Sequence, residues 1–306
     1  MKKIIVVGSN GLLGQTLINS INKLDYKIFA LARGCNRNQN NSNFTYYDVD
    51  ITDKKSLLNI IDVIKPDYII NAAAVTNVDY CETHQQECDA VNVEAVDTLI
   101  EASKKHNIHL VHISTDFVFD GLKGNYKETD ATNPLNYYGL SKLKSEQLFE
   151  KTSISYTILR TILVFGYVPE LKQQNILLWL LDKMQNKVPL TMVNDQLRTP
   201  TYVEDLAKAC LSAIKTQAKG IYNISGSDLL DMYQLSNLVA KTFNYDEKSI
   251  SAIPTSQLNQ PAIRPKITGF DISKSKKDLN FSPLSFTDAL EEIKSKISQH
   301  NVDNFC

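Results

Sequence analysis

The stretch Ile4-Ile5-Val6-Val7-Gly8-Ser9-Asn10-Gly11-Leu12-Leu13-Gly14 decides the fold of this chain. Four consecutive apolar residues suit a buried strand, and the spacing of Leu12, Leu13, Leu17, Ile18 and Ile21 suits an amphipathic helix. Between them stand three glycines in a G-x-x-G-x-x-G pattern. Gly8 allows a tight turn, Gly11 lets a pyrophosphate approach the backbone, and Gly14 lets the helix lie close on the sheet. The N-terminus of the helix offers its free N–H groups to phosphate oxygens. Gly8, Asn10, Gly11, Leu12, Leu13 and Gly14 are therefore expected to cradle a dinucleotide cofactor.

Working outward, short apolar runs recur at Ile28 to Leu31, Tyr68 to Asn71, His109 to Ile113 and Tyr156 to Leu159, with helical patterns such as Ala95, Leu99, Ile100, Ala102 between them. This alternation predicts an α/β fold with a doubly wound parallel sheet of the Rossmann kind, its ligands bound beyond the carboxyl ends of the strands. After Gly166 the rhythm changes, and Pro254, Pro261, Pro265 and Pro283 punctuate a polar, lysine-rich remainder. The expected division is a dinucleotide-binding domain over 1–165, rejoined by about 190–224. A smaller α/β substrate-binding lobe is expected from 166–189 and 225–306. Asn36 to Asn43 reads as a flexible surface loop.

With 33 basic and 34 acidic residues spread along 306, the net charge of −1 points to neither a nucleic acid nor a membrane surface as partner. The apolar run at Ile4 is too short for a leader or a membrane span, so a cytoplasmic protein is expected. Cys35, Cys81, Cys88, Cys210 and Cys306 show no metal-ligand spacing and read as reduced thiols; no metal site is expected.

The second strand ends in Ala30-Leu31-Ala32-Arg33 without a carboxylate. Arg33 there suits a 2′-phosphate and hence NADP, with NAD as the second choice and a solvated loop-edge arginine as the other reading of that residue. Two further segments fall where the fold predicts a site: His112-Ile113-Ser114-Thr115-Asp116-Phe117 at a strand end, and Tyr137-Tyr138-Gly139-Leu140-Ser141-Lys142 at a helix start. Tyr138 and Lys142 share a helix face. Hydride delivered to a carbonyl carbon leaves charge on the oxygen, which needs a proton. A phenol ionises near pH 10, so Lys142 is expected to lower that value while bonding the cofactor ribose, with Thr115 holding the substrate oxygen. Tyr137 lacks such a lysine, and His112 is expected to be core or hydrogen-bonded scaffold.

These motifs, together with Asp48-Val49-Asp50-Ile51-Thr52-Asp53, Asn71-Ala72-Ala73-Ala74, Asn133-Pro134-Leu135-Asn136, Leu159-Arg160-Thr161 and Pro200-Thr201-Tyr202, resemble the extended short-chain dehydrogenase/reductases, most closely the dTDP-4-dehydrorhamnose reductase group. The resemblance implies NAD(P)-dependent reduction of a keto group on a nucleotide-activated deoxysugar. It implies Asp50 and Ile51 against the adenine and Ala72, Ala73 and Ala74 against the cofactor ribose and phosphates. Thr115, Tyr138 and Lys142 become the catalytic triad. A sugar nucleotide would meet Thr76 and Phe117, and Arg198 or Arg264 would serve either a diphosphate or a structural ion pair. Asp116-Phe117 replaces the Asp-Glu pair of the related dehydratases, while Leu163 and Arg198 depart from the reductase pattern. The group leaves room for a homodimer. It also includes a regulatory subunit of methionine adenosyltransferase, so a non-catalytic NADP-binding subunit is the alternative, and a cofactor-retaining epimerase a third reading.

Overall fold

The computed structural model describes residues 1–306 except 23, 39–42, 170, 172–174 and 304–306, and the backbone alone at 301–303. Chain order begins β1 (Lys2–Val7), α1 (Leu12–Ser20), β2 (Tyr26–Ala32), β3 (Phe44–Asp48), α2 (Lys54–Ile64), β4 (Tyr68–Asn71), α3 (Val78–Thr83) and α4 (Gln85–Asp89). A π-helical turn over Ala90–Glu94 runs into α5 (Ala95–His106), followed by β5 (His109–Thr115), α6 (Tyr137–Glu150) and β6 (Tyr156–Thr161). Then come β7 (Val164–Phe165), α7 (Ile176–Gln185), β8 (Leu190–Val193), β9 (Leu197–Arg198), β10 (Thr201–Tyr202), α8 (Val203–Thr216) and β11 (Gly220–Ile224). The chain finishes with β12 (Leu230–Asp231), α9 (Met232–Thr242), β13 (Ile250–Ile253), α10 (Ser273–Leu279) and α11 (Phe286–Asp303).

Seven strands form one sheet in the order β3-β2-β1-β4-β5-β6-β11, every pair parallel. The strand order reverses between β1 and β4, where Val7 lies beside both Leu31 and Asn71. A crevice opens at such a switch point beyond the strand ends. Both faces are covered: Ile4 and Val6 join an apolar cluster with Leu17, Leu206 and Ala209, whereas Ile5 and Val7 join another with Leu57, Ile61 and Leu99. Alternate residues of one unbroken apolar run thus feed two cores.

β3 escaped the sequence pattern because its alternation is weak: Phe44, Tyr46 and Tyr47 are only half-buried and Thr45 is exposed at the sheet edge. The stretch of about 190–224 was expected to rejoin the dinucleotide-binding domain. Within it β8 pairs with β13, β9 with β12 and β10 with β7, and β11 joins the seven-stranded sheet beside β6. The supposed flexible loop also differs from expectation over its described part. Asn38 is buried, its amide donating to the Ser9 carbonyl, and the Arg37 N–H donates to Asn10 Oδ1. Residues 39–42 of that loop lie outside the described residues.

Candidate active site

The glycine turn is built by close approach. Gly8 has φ +79°, and a β-carbon there would stand 2.7 Å from the Ala73 nitrogen. A β-carbon on Gly14 would stand 2.2 Å from the Gly8 carbonyl oxygen, so α1 lies on the turn with no room to spare. Gly11 is the N-cap of α1 yet supplies no capping side chain, which leaves the first-turn N–H groups of Leu12 and Leu13 without a side-chain acceptor. An anionic diphosphate fits this cradle on both geometry and sign. Asn10 does something else with its side chain: its amide donates to the Cys35 carbonyl at 3.0 Å and to Tyr46 Oη at 3.1 Å, tying the turn to the segment after β2.

Arg33 is 83% exposed and reaches Asp50 Oδ2 at 3.3 Å. Asp50 also accepts the N–H and hydroxyl of Thr52, and these bonds, with Arg33, hold its carboxyl below the usual carboxylate range. Ile51 is buried beside them, and Ala72, Ala73 and Ala74 follow β4 half-buried, with the Ala72 N–H on the Val7 carbonyl.

Thr115 ends β5, and Asn136 caps α6 by accepting the Gly139 N–H at 2.8 Å. Gly139 permits the junction, since a β-carbon there would lie 2.1 Å from the Phe117 carbonyl oxygen. Tyr138 is consequently half-buried, with its ring edge-on to Phe117 at 5.9 Å and Thr115 near its hydroxyl. Burial pushes the phenol above its ordinary value, and the nearby Thr115 opposes that push.

Lys142 is 1% exposed, and burial pulls it down to about 8 against the opposing influence of Glu146 and Cys88. Its Nζ lies 3.1 Å from His112 Nε2. The sequence pattern predicts that Lys142 lowers the phenol. In the structure the near partner of Lys142 Nζ is the His112 imidazole.

On the other side of Thr115, the Asp116 carboxylate accepts the Thr115 hydroxyl at 3.1 Å and the Thr268 hydroxyl at 2.5 Å. Arg198 is buried with Nε 3.9 Å from Asp116, its other donors on the carbonyls of Leu197, Pro265 and Lys266 and its plane over the Phe117 ring at 5.7 Å. Of the two readings left open for Arg198, the ion pair describes these contacts. Arg264 likewise grips Asp79 with two bonds, at 3.1 and 2.7 Å. Beside them a cavity of about 230 Å³ is lined by Gln196, Thr255, Leu258, Arg264 and Lys266. The Asn136 amide donates to the Ile263 carbonyl, joining the start of α6 to this wall. Thr76 is exposed between β4 and α3.

Three groups behind α6 have contacts that the sequence reading did not anticipate. Glu146 and Arg160 form a buried pair at 2.6 Å that also takes the Ser114 hydroxyl. Asn92, in the π-helical turn, donates to Ser141 Oγ and the Val75 carbonyl. Cys81 and Cys88 are buried thiols with their sulfurs 2.9 Å apart. Only partners distant in sequence give these residues their roles, which is why spacing cannot find them. Among the described residues no helix is long and apolar enough to cross a membrane, and no cluster of three or more His, Cys, Asp or Glu is placed to hold a metal.

Comparison with known proteins agrees with this architecture. The RmlD substrate binding domain family matches residues 1–299. A dTDP-4-dehydrorhamnose reductase of Aggregatibacter actinomycetemcomitans is 32% identical, with 96% of this chain and 99% of that protein aligned. Methionine adenosyltransferase 2 subunit beta of Danio rerio is 28% identical over 89% of this chain and 84% of its own length. The crystal structure of dTDP-4-dehydrorhamnose reductase from Bacillus anthracis in complex with NADP superposes with a TM-score of 0.86 at 26% identity, covering 97% of this chain and all of the other.

Proposed function

Because the chain belongs to the RmlD substrate binding domain family, we propose that it is an NADP-dependent oxidoreductase that reduces a keto group on a nucleotide-activated deoxysugar. What supports this reading is that Thr115 ends β5 and that Tyr138 and Lys142 stand four residues apart on α6, which packs against β5. In this scheme Gly8 to Gly14 hold the diphosphate of the cofactor, Arg33 its 2′-phosphate, Asp50 and Ile51 the adenine side, and Ala72 to Ala74 the ribose and phosphates. The bound nicotinamide supplies the hydride.

The protein's own part is proton placement. Thr115 orients the substrate oxygen beside the phenol, and Tyr138 gives its proton to that oxygen as charge develops there. Lys142 bonds the cofactor ribose and stabilises the phenolate left behind. The sugar nucleotide occupies the cleft of Thr76, Phe117 and the cavity beside Arg264, with Arg198 holding the wall in place. A cofactor domain over 1–165 with the return through β10 to β11, a substrate lobe from the rest, a cytoplasmic location and a homodimer complete the reading.

The test is NADPH oxidation with a panel of 4-keto sugar nucleotides. Wild type turns over, and Tyr138→Phe loses about 100-fold in kcat, the size expected of a general acid. The 28% identity to the methionine adenosyltransferase subunit favours one rival, a regulatory NADP-binding protein. Tight NADPH binding with no turnover on any sugar nucleotide would establish that rival instead. Sugar interconversion without net NADPH consumption would mark an epimerase.

A further inference from the structure

Behind the proposed proton donor runs a line of buried polar side chains from Asn71 at the end of β4, through His112 in β5, to Ser145 and Lys142 on α6; none is more than 1% exposed. We infer that His112 is a positioning residue: held by Asn71 as its Nε2–H tautomer, it seats the Lys142 side-chain nitrogen and favours the uncharged amine there.

The assignment follows from which atoms donate. The Ala73 N–H donates to Asn71 Oδ1 at 3.2 Å, which fixes the amide with its NH₂ toward His112 Nδ1, also at 3.2 Å. Nδ1 therefore accepts. His112 is neutral, because its complete burial holds it well below the ordinary histidine value. A neutral imidazole carries one proton, so that proton sits on Nε2. Ser145 Oγ, 3.1 Å from Nε2, spends its own hydrogen on the Lys142 carbonyl at 2.7 Å and so has a lone pair ready for Nε2–H. Lys142 Nζ then faces, at 3.1 Å, a nitrogen with no lone pair to offer. That nitrogen's one hydrogen goes to Ser145 Oγ, so an ammonium at Lys142 meets a donor nitrogen with nothing there to accept its protons.

The other groups facing Lys142 act differently. Glu146 on α6 and Cys88 on α4 favour the ammonium, and the Glu146 charge is shared with Arg160 of β6. Burial is the largest influence and opposes them, and the side chain sits at about 8. At neutral pH such a lysine holds a proton that it gives up readily, which suits a group meant to replenish a phenol. The catalytic meaning rests on the proposed function, but the tautomer does not.

Both parts are tested on the protein alone. With ¹⁵N-histidine labelling, long-range ¹H–¹⁵N NMR should show the His112 ring, assigned through its own backbone, with a pyrrole-type Nε2 and a pyridine-type Nδ1. The opposite pattern, or a doubly protonated ring at neutral pH, overturns the inference. Titration of ¹³C-lysine signals should then place Lys142 above about 8 in His112→Phe, which keeps the ring volume, and in Asn71→Leu, which frees the tautomer. A Lys142 value unchanged or lowered in the folded variants overturns it as well. A correct tautomer in a protein that reduces no keto sugar would sink the proposed function and leave this inference standing.

Discussion

Gly11→Ala and Gly14→Ala separate the two jobs of the glycine turn. Gly14 lies inside α1, where alanine is favoured over glycine by about 1 kcal/mol. Against this, its β-carbon would meet the Gly8 oxygen at 2.2 Å, Ser9 Cα at 2.6 Å and the Gly8 carbonyl carbon at 2.8 Å, all backbone. No side chain can swing aside, so α1 must back off the turn by about 1 Å, and forcing atoms into a packed interior costs roughly 1–3 kcal/mol. The net expectation is a loss of about 0–2 kcal/mol for Gly14→Ala, with or without cofactor. Gly11 differs: it is the N-cap in an extended conformation, and its β-carbon would meet only the Gly8 oxygen, at 3.4 Å. Stability should therefore change by less than about 0.5 kcal/mol. The methyl would stand where the phosphates must approach, and losing one or two charge-assisted bonds weakens NADPH binding by roughly 10- to 100-fold. Urea unfolding gives the first quantity and quenching of the Trp179 fluorescence the second. Gly14→Ala more stable than wild type, or Gly11→Ala binding NADPH with unchanged affinity, refutes the assignment of the two roles.

Glu146→Gln leaves Arg160, 3% exposed, without its charge partner and should cost about 3–5 kcal/mol in urea unfolding, whereas Glu146→Met combined with Arg160→Leu should lose less than the single change. If the double variant is the less stable, the desolvation argument is wrong. Lys142 has a folded value of about 8 against 10.5, so its burial penalty is complete below pH 8 and fades as pH rises toward 10.5. Lys142→Met should therefore be more stable than wild type at neutral pH, with the gap between their urea midpoints closing over that window; a gap that widens with pH contradicts the sign. Arg33→Ala should weaken NADPH binding by about fivefold to tenfold while leaving NADH nearly unchanged, and equal losses for both cofactors would remove Arg33 from the 2′-phosphate site.

The main sheet was legible because its strands are buried on both faces, and such strands announce themselves as unbroken apolar runs: Ile4 to Val7, Ile69 and Ile70, Leu110 and Val111. β3 sits at the edge with one weakly covered face, and its tyrosines carry no alternation strong enough to read. The small pairs β8 with β13 and β9 with β12 are shorter than the window over which periodicity means anything, and their partners lie 60 and 33 residues away along the chain in register. The candidate site divides in the same way. Gly8, Gly14, Thr115 and the Tyr138–Lys142 spacing are local patterns that can be read along the chain. Arg198 could be found but not given a role, because whether a guanidinium waits for a diphosphate or fastens Asp116 to the carbonyls of Leu197, Pro265 and Lys266 depends on which loop folds over it. His112 is the sharpest case. Its position near a strand end marks it as scaffold, yet its chemistry is set by an amide one strand away whose orientation is itself fixed by the Ala73 N–H. The acidity of the proposed catalytic lysine thus depends on three elements that only the sheet register, Asn71 beside His112, brings into line.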